Sequence, residues 1–212
     1  MNSYQVPDLA PGEIHQAEET IKRSRFIVSI ARVRTVDEAK HFIDGIRMRY
    51  SDATHNCWAF SAGSPGSTAK VGASDDGEPK GTAGRPMVTV LEHCGVGEIA
   101  AVVTRYFGGT LLETGGLVHA YQGLVKLGLQ SLPTCEMVPT TCIDVEIEHR
   151  FYNHLARLIE DAAGRVLKKE FSSNVILSVE VADSACANLI ARIGTVTAGR
   201  ALVRVRDTVD EE

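Results

Sequence analysis

The stretch that follows Pro139 constrains this chain most. Residues CIDVEIEH alternate strictly, with Ile143, Val145 and Ile147 on one side and Asp144, Glu146 and Glu148 on the other. This is the pattern of a strand with one face buried and one face in water. Behind it Phe151, Leu155, Leu158, Ile159 and Ala162 recur at helical spacing until Gly164 ends the run. RVLKKEF and NVILSVEV read as two strands joined by Ser-Ser-Asn. A second helical stripe follows (Cys186, Leu189, Ile190, Ile193), with Asp183 as its expected cap, and ALVRVR closes as a strand. The order over 139–207 is β-α-β-β-α-β, the split-βαβ or ferredoxin-like pattern. The tail, DTVDEE, is expected to fray.

The two prolines of LPTCEMVPT, 132–140, place a boundary there and leave 1–134 as a second α+β domain. EIHQAEETI and RFIVSIARV read as a hairpin turning at Lys-Arg-Ser. Thr35 and Glu38 form a T-x-x-E capping box. Behind it Ala39, Phe42, Ile43, Ile46 and Tyr50 predict a helix over 36–49. THNCWAFSA (54–62) and STAKVGAS (67–74) are strand candidates around the turn GSPG. EIAAVVTRY (98–106) is apolar enough for a central strand covered on both faces. One helix is expected from the region of Ala83–Pro86 to Cys94, with Pro86 in its first turn and Gly95 as its stop. Another is expected over 115–131, ended by Pro133.

Composition excludes several classes. Of 212 residues, 44% are apolar and 23% charged, so a packed globular fold is expected rather than a disordered chain. No apolar run reaches the roughly 18 residues of a membrane span. The start, MNSYQVPDLAPGEI, has neither a basic n-region nor an apolar h-region, so the expected compartment is the cytoplasm. Cys57, Cys94, Cys135, Cys142 and Cys186 are odd in number and scattered, which argues against a disulfide framework and a zinc ribbon. The net charge is −5 and neither half of the chain is basic, so any contact with nucleic acid needs a local patch.

Two stretches could carry chemistry. The first is SDDGEPKGTAGRP, 74–86, through which neither a strand nor a long helix can run. Asp75, Asp76 and Glu78 could hold a hard cation, although their spacing is not that of an EF-hand. Equally, Asp75 and Asp76 could cap backbone N–H groups while Glu78 pairs with Arg85 or Lys80, or the loop could form a binding surface. The second is RYFGGTLLETGGLVHAYQG, 105–123, where two glycine pairs sit between a strand and a helix. Such a turn exposes N–H groups that attract anions, and Arg105 adds a charge suited to phosphate or carboxylate. Glu113 opposes an anion, and close strand–helix packing explains glycines as well. His55 and Cys57 share one strand face, but no base-orienting group is evident for a Cys–His pair. The remaining histidines show no metal-ligand spacing. No G-x-S-x-G elbow and no H-E-x-x-H is present. An enzyme is the weaker expectation, and neither metal nor cofactor is expected.

SDDGEPKGTAGRPM, VVTRYFGG and TGGLVHAYQG, with KRSRFI and HNCWAF upstream, resemble the YigZ/IMPACT family over essentially the whole chain. The resemblance implies an N-terminal domain similar to ribosomal protein S5 domain 2, followed by a ferredoxin-like domain. It implies a translation-linked regulatory or binding protein that contacts RNA, the ribosome or a protein partner in translation control, without DNA specificity. The motif surface would comprise Asp75, Asp76, Glu78, Thr82, Arg85, Arg105, Tyr106, Gly108, Gly109, Gly115, Gly116, His119 and Tyr121, with Arg85 and Arg105 as its contact charges. The alternatives are an Mg-dependent enzyme acting on a nucleotide or phosphate ligand, and an interaction module whose motifs are purely structural. The family's glycine stretch usually carries lysine, glycine and arginine where this chain has Leu111, Glu113 and His119. These departures weaken a phosphate-binding role here.

Overall fold

The computed structural model describes residues 3–206, so the tail DTVDEE lies outside the described residues. The chain divides into two compact units, Tyr4–Met137 and a second beginning at Val138. Both are α+β.

In the first unit, β1 (Tyr4–Pro7), β2 (His15–Ile21), β3 (Ser24–Arg32), α1 (Val36–Arg49), β4 (His55–Ser61), β5 (Val71–Ser74), α2 (Gly84–His93), β6 (Ile99–Tyr106), α3 (Thr114–Ser131) and β7 (Thr134–Met137) follow in order. Five strands form one sheet in the order β2-β3-β6-β4-β5, with every neighbouring pair antiparallel. β6 lies at its centre and is buried from Ile99 to Arg105. Its side chains alternate between two cores. Ala101 and Val103 join Met87, Leu91, Tyr121 and Leu124 of α2 and α3, while Ala100 and Val102 join Ile43 and Ile46 of α1. That is why EIAAVVTRY reads as apolar throughout.

At α1 the expected capping box forms in part, its returning bond reaching the residue before the N-cap. Thr35 Oγ1 accepts the Glu38 N–H at 3.1 Å, and the Glu38 carboxylate accepts the N–H of Arg34. Pro86 sits in the first turn of α2, where its missing N–H costs nothing. β5 is shorter than 67–74 suggests. The segment before it closes instead as a loop, with the Ala62 N–H bonded to the Lys70 carbonyl. Within the proline-flanked stretch read as a boundary, Thr134–Met137 is a strand that pairs antiparallel with β1.

The second unit holds β8 (Thr140–Ile147), a 3-10 turn (His149–Phe151), α4 (Tyr152–Asp161), β9 (Arg165–Phe171), β10 (Val175–Ala182), α5 (Asp183–Val196) and β11 (Leu202–Val205). Its sheet runs β11-β8-β10-β9, antiparallel throughout, which is the ferredoxin-like strand order. Ile143, Val145 and Ile147 are buried against Leu155, Leu158, Leu189 and Ile193, as the alternation predicts. Asp183 differs from expectation. It is the first residue of α5 rather than its cap, and its carboxylate accepts the Thr141 hydroxyl.

Candidate functional site

The register of the central sheet sets His55 opposite Arg105. This brings the loop after β5 over the end of β6, with Tyr121 of α3 beneath. The centre is Glu78, only 3% of whose side chain is exposed. One of its carboxylate oxygens accepts Arg105 Nη1 at 2.6 Å and the Tyr121 hydroxyl at 2.8 Å. His55 Nε2 stands 4.0 Å from the same oxygen. Pairing with Lys80 or Arg85, as read from the sequence, does not occur; both are exposed, and the buried carboxylate takes the buried cation. The guanidinium lies 5.3 Å from the Phe26 ring and 5.6 Å from the Phe107 ring. Its Nε is buried without a hydrogen bond. Arg105 is therefore a structural charge enclosed by rings and a carboxylate. It is not an open contact for phosphate.

Cys57 completes the cluster, with Sγ 2.9 Å from the Asp75 carbonyl and 3.3 Å from the Tyr121 oxygen. Burial pushes its thiol up to about 12. The nucleophilic form of a thiol is the thiolate, so Cys57 is inert at neutral pH. Burial also raises the pKa of Tyr121, which stays a phenol that donates to Glu78.

The two aspartates hold the loop itself. Asp75 accepts the N–H groups of Gly81, Ala83 and Gly84 at 2.7, 3.0 and 2.8 Å. It thereby caps the start of α2 from eight or nine residues away. Burial favours its neutral form, but the three backbone donors outweigh burial and hold the carboxyl below the usual carboxylate range. Asp76 takes a positive φ of 42°, pairs with Arg47 and accepts the Asn56 N–H at 2.7 Å. Its carbonyl meets His55 Nδ1 at 2.8 Å. Thr82 is buried and donates to the Pro79 carbonyl. Both aspartates and Glu78 are thus engaged by the protein. Among the described residues no group of three His, Cys, Asp or Glu side chains is placed to hold a metal ion.

The glycine stretch separates into two parts. A Cβ on Gly108 would lie 1.8 Å from the Arg23 carbonyl oxygen, and Gly109 has φ +84°. The first pair is therefore required by close approach and by backbone conformation. Gly115 and Gly116 open α3, whose N-terminus no side chain caps. A Cβ on Gly115 would meet nothing within 4 Å, and one on Gly116 would make only ordinary contact with Leu112. Exposed around this turn are Phe107 (45%) and Leu111 (81%), with Gly109, Glu113, Gly115 and His119. Arg85 is exposed, while Tyr106 is half-buried and donates to Asp52. The predicted residues thus divide into a buried frame (Glu78, Thr82, Arg105, Tyr121) and a half-buried or exposed rim. Sequence reasoning gave Phe107 and Leu111 no role of their own. Their signal was two apolar residues inside a glycine-rich turn.

Residues 22–129 match the model of the Impact N-terminal domain. The chain is 40% identical to the IMPACT family member YigZ of Escherichia coli (strain K12), over 94% of this chain and 96% of that protein. It is 34% identical to an IMPACT family member of Haemophilus influenzae, over 93% and 96%. A crystal structure described only as a hypothetical protein is similar in fold, with a TM-score of 0.71 and 36% identity, over 98% of this chain and 99% of that one.

Proposed function

The chain belongs to the IMPACT family, and from that premise we propose that it is a non-enzymatic binding protein of translation control, working in the cytoplasm. Its contact surface is the rim of the glycine turn. The observation that carries this reading is the exposure of Phe107 and Leu111 beside Gly115, a glycine that no packing demands. Two large apolar side chains exposed within one short turn offer a partner apolar contact. Glycines left open beside it let a partner approach the backbone of α3. The buried cluster beneath holds the turn rigid: Arg105 stacks on Phe107 from below while Glu78 and Tyr121 fix Arg105. Because Arg105 is neutralised, the rim offers apolar contact and backbone more than phosphate-binding charge. A protein surface, such as that of a translation factor or ribosomal protein, fits this rim better than an RNA backbone.

The test is co-sedimentation and affinity capture from lysate, with and without RNase, of the wild-type chain and of Phe107→Ser/Leu111→Ser. The expected result is RNase-resistant association of the wild type with ribosomal particles or translation factors. The double variant should lose it while keeping its melting temperature. Association abolished by RNase and by moderate salt would replace the protein reading with an RNA one. No association with translation components would overturn both.

A further inference from the structure

On the opposite side of the sheet from α2 and α3, a cavity of about 620 Å³ opens between α1, the end of β3 and the loop before β2. Its apolar wall includes Leu9 and Ile14 from the loop and Phe42 and Ile46 from the helix. This is the size of a small-molecule site, which is concave and mostly apolar with few polar groups.

Gly45 lies in the middle of the helix face that lines this cavity. Glycine is the least favourable residue inside a helix apart from proline. No close packing requires it, because a Cβ at this position would meet nothing within 4 Å and its φ is not positive. What its missing side chain does is leave the cavity floor clear. Its neighbours one turn away on the same face are His41 and Arg49. Arg49 rests on the Tyr50 ring at 5.5 Å and makes no ion pair among the described residues. Arg34, at the other end, makes no side-chain ion pair among them either, whereas Arg32 is paired with Glu98. The two acids of the lining lie away from Arg49 along the chain: Glu13 in the loop before β2, where it accepts the Ala10 N–H, and Glu38 in the first turn of α1, where it accepts the Arg34 N–H. A mostly apolar cavity thus has, at the last turn of α1, an arginine without a carboxylate partner among the described residues.

We infer that this cavity is a binding site for a small amphipathic anion, whose apolar body lies over Gly45 between Phe42 and Ile14 and whose carboxylate meets Arg49. The site is separate from the glycine-turn rim and does not depend on the function proposed for it. Aliphatic and aromatic carboxylates share this chemistry, and the probes separate them.

The experiment is an NMR titration of the full ¹⁵N-labelled chain with sodium decanoate, sodium 2-naphthoate and neutral 2-naphthamide. The expected result is saturable shifts, for at least one carboxylate, confined to α1 and residues 9–14 and 31–34. The probe with the tighter affinity tells aliphatic from aromatic ligands. Gly45→Leu should weaken binding at least tenfold. Arg49→Gln should weaken both carboxylates and leave the amide unchanged. Gly45→Ala should raise Tm by about 2–4 °C, because the glycine serves the cavity rather than the fold. The proposal is overturned if neither carboxylate saturates, if shifts fall elsewhere, if Gly45→Leu binds as the wild type does, or if Gly45→Ala lowers Tm. Equal weakening of the amide and the carboxylates by Arg49→Gln would overturn the anion assignment.

Discussion

At the scale of single residues, the Glu78–Arg105 pair bears the greatest consequence. Both side chains are almost fully buried, so removing one leaves a desolvated charge without its counter-charge. Glu78→Gln is expected to cost about 3–5 kcal/mol in urea unfolding. Glu78→Gln/Arg105→Met should cost clearly less than the two single changes added together, because no orphaned charge remains. Additive costs would show that the pair does not act as one unit. Cys57 has a different signature. Folding raises its pKa from 9.0 to about 12, so the unfolded chain gives up this proton first. The stability linked to the thiol is intact below about pH 9 and is lost as pH rises from there to about 12. In the native protein at pH 8, iodoacetamide should leave Cys57 unmodified, and in urea it should label it. Mass spectrometry of the tryptic peptides decides, and native labelling would refute the buried-thiol geometry.

At the scale of elements, Asp75 ties a loop to a helix. Its carboxylate accepts three N–H groups at the start of α2, whose own N-cap, Ala83, has no side chain able to serve. Asp75→Ala should cost about 2–3 kcal/mol, since each hydrogen bond to a charged group matters more than a neutral one. Asp75→Asn should recover part of that. The folded-state pKa is depressed, so this stabilisation is full above about pH 4 and is lost as pH falls through the folded value. The gap in urea midpoint between wild type and Asp75→Asn should therefore be narrower at pH 3 than at pH 7. A constant gap would remove the linkage. Elements of this kind were unevenly legible in the sequence. The helix α1 was clear because its cap and its apolar stripe agree, and β6 because both its faces are covered. Backbone capping by Asp75 was one of several open readings. The Glu78–Arg105 contact was not legible, because it joins residues 27 apart through a sheet register that no local spacing encodes. β1 and β7 were missed for a related reason. YQVP and TCEM are four residues long, one contains proline, and only their distant pairing makes them strands.

At the scale of the whole molecule, each unit carries its own core. In the second, Ile143, Val145, Ile147, Val175, Leu177 and Val179 of the sheet pack on Leu155, Leu158, Ile159, Leu189 and Ile193 of the two helices. This covers one face of a four-stranded sheet with helices, which meets the requirement for independent stability that an isolated hairpin fails. Residues 138–212 expressed alone are therefore expected to unfold in urea as a single sigmoidal transition with α+β circular dichroism. The first unit needs more of the chain than its helices suggest. β7 supplies the partner strand of β1, where Val6 is fully buried, and Pro133 accepts the Asp8 N–H. A fragment ending at residue 132 keeps the five-stranded sheet but lacks β7 and leaves β1 without its partner strand. Its urea midpoint should lie below that of a fragment ending at residue 137, with an unfolding free energy lower by about 1–3 kcal/mol, the worth of one buried aliphatic side chain and its surroundings. Equal midpoints would show that β7 is dispensable. An unfolded 138–212 fragment would show that its core is insufficient alone.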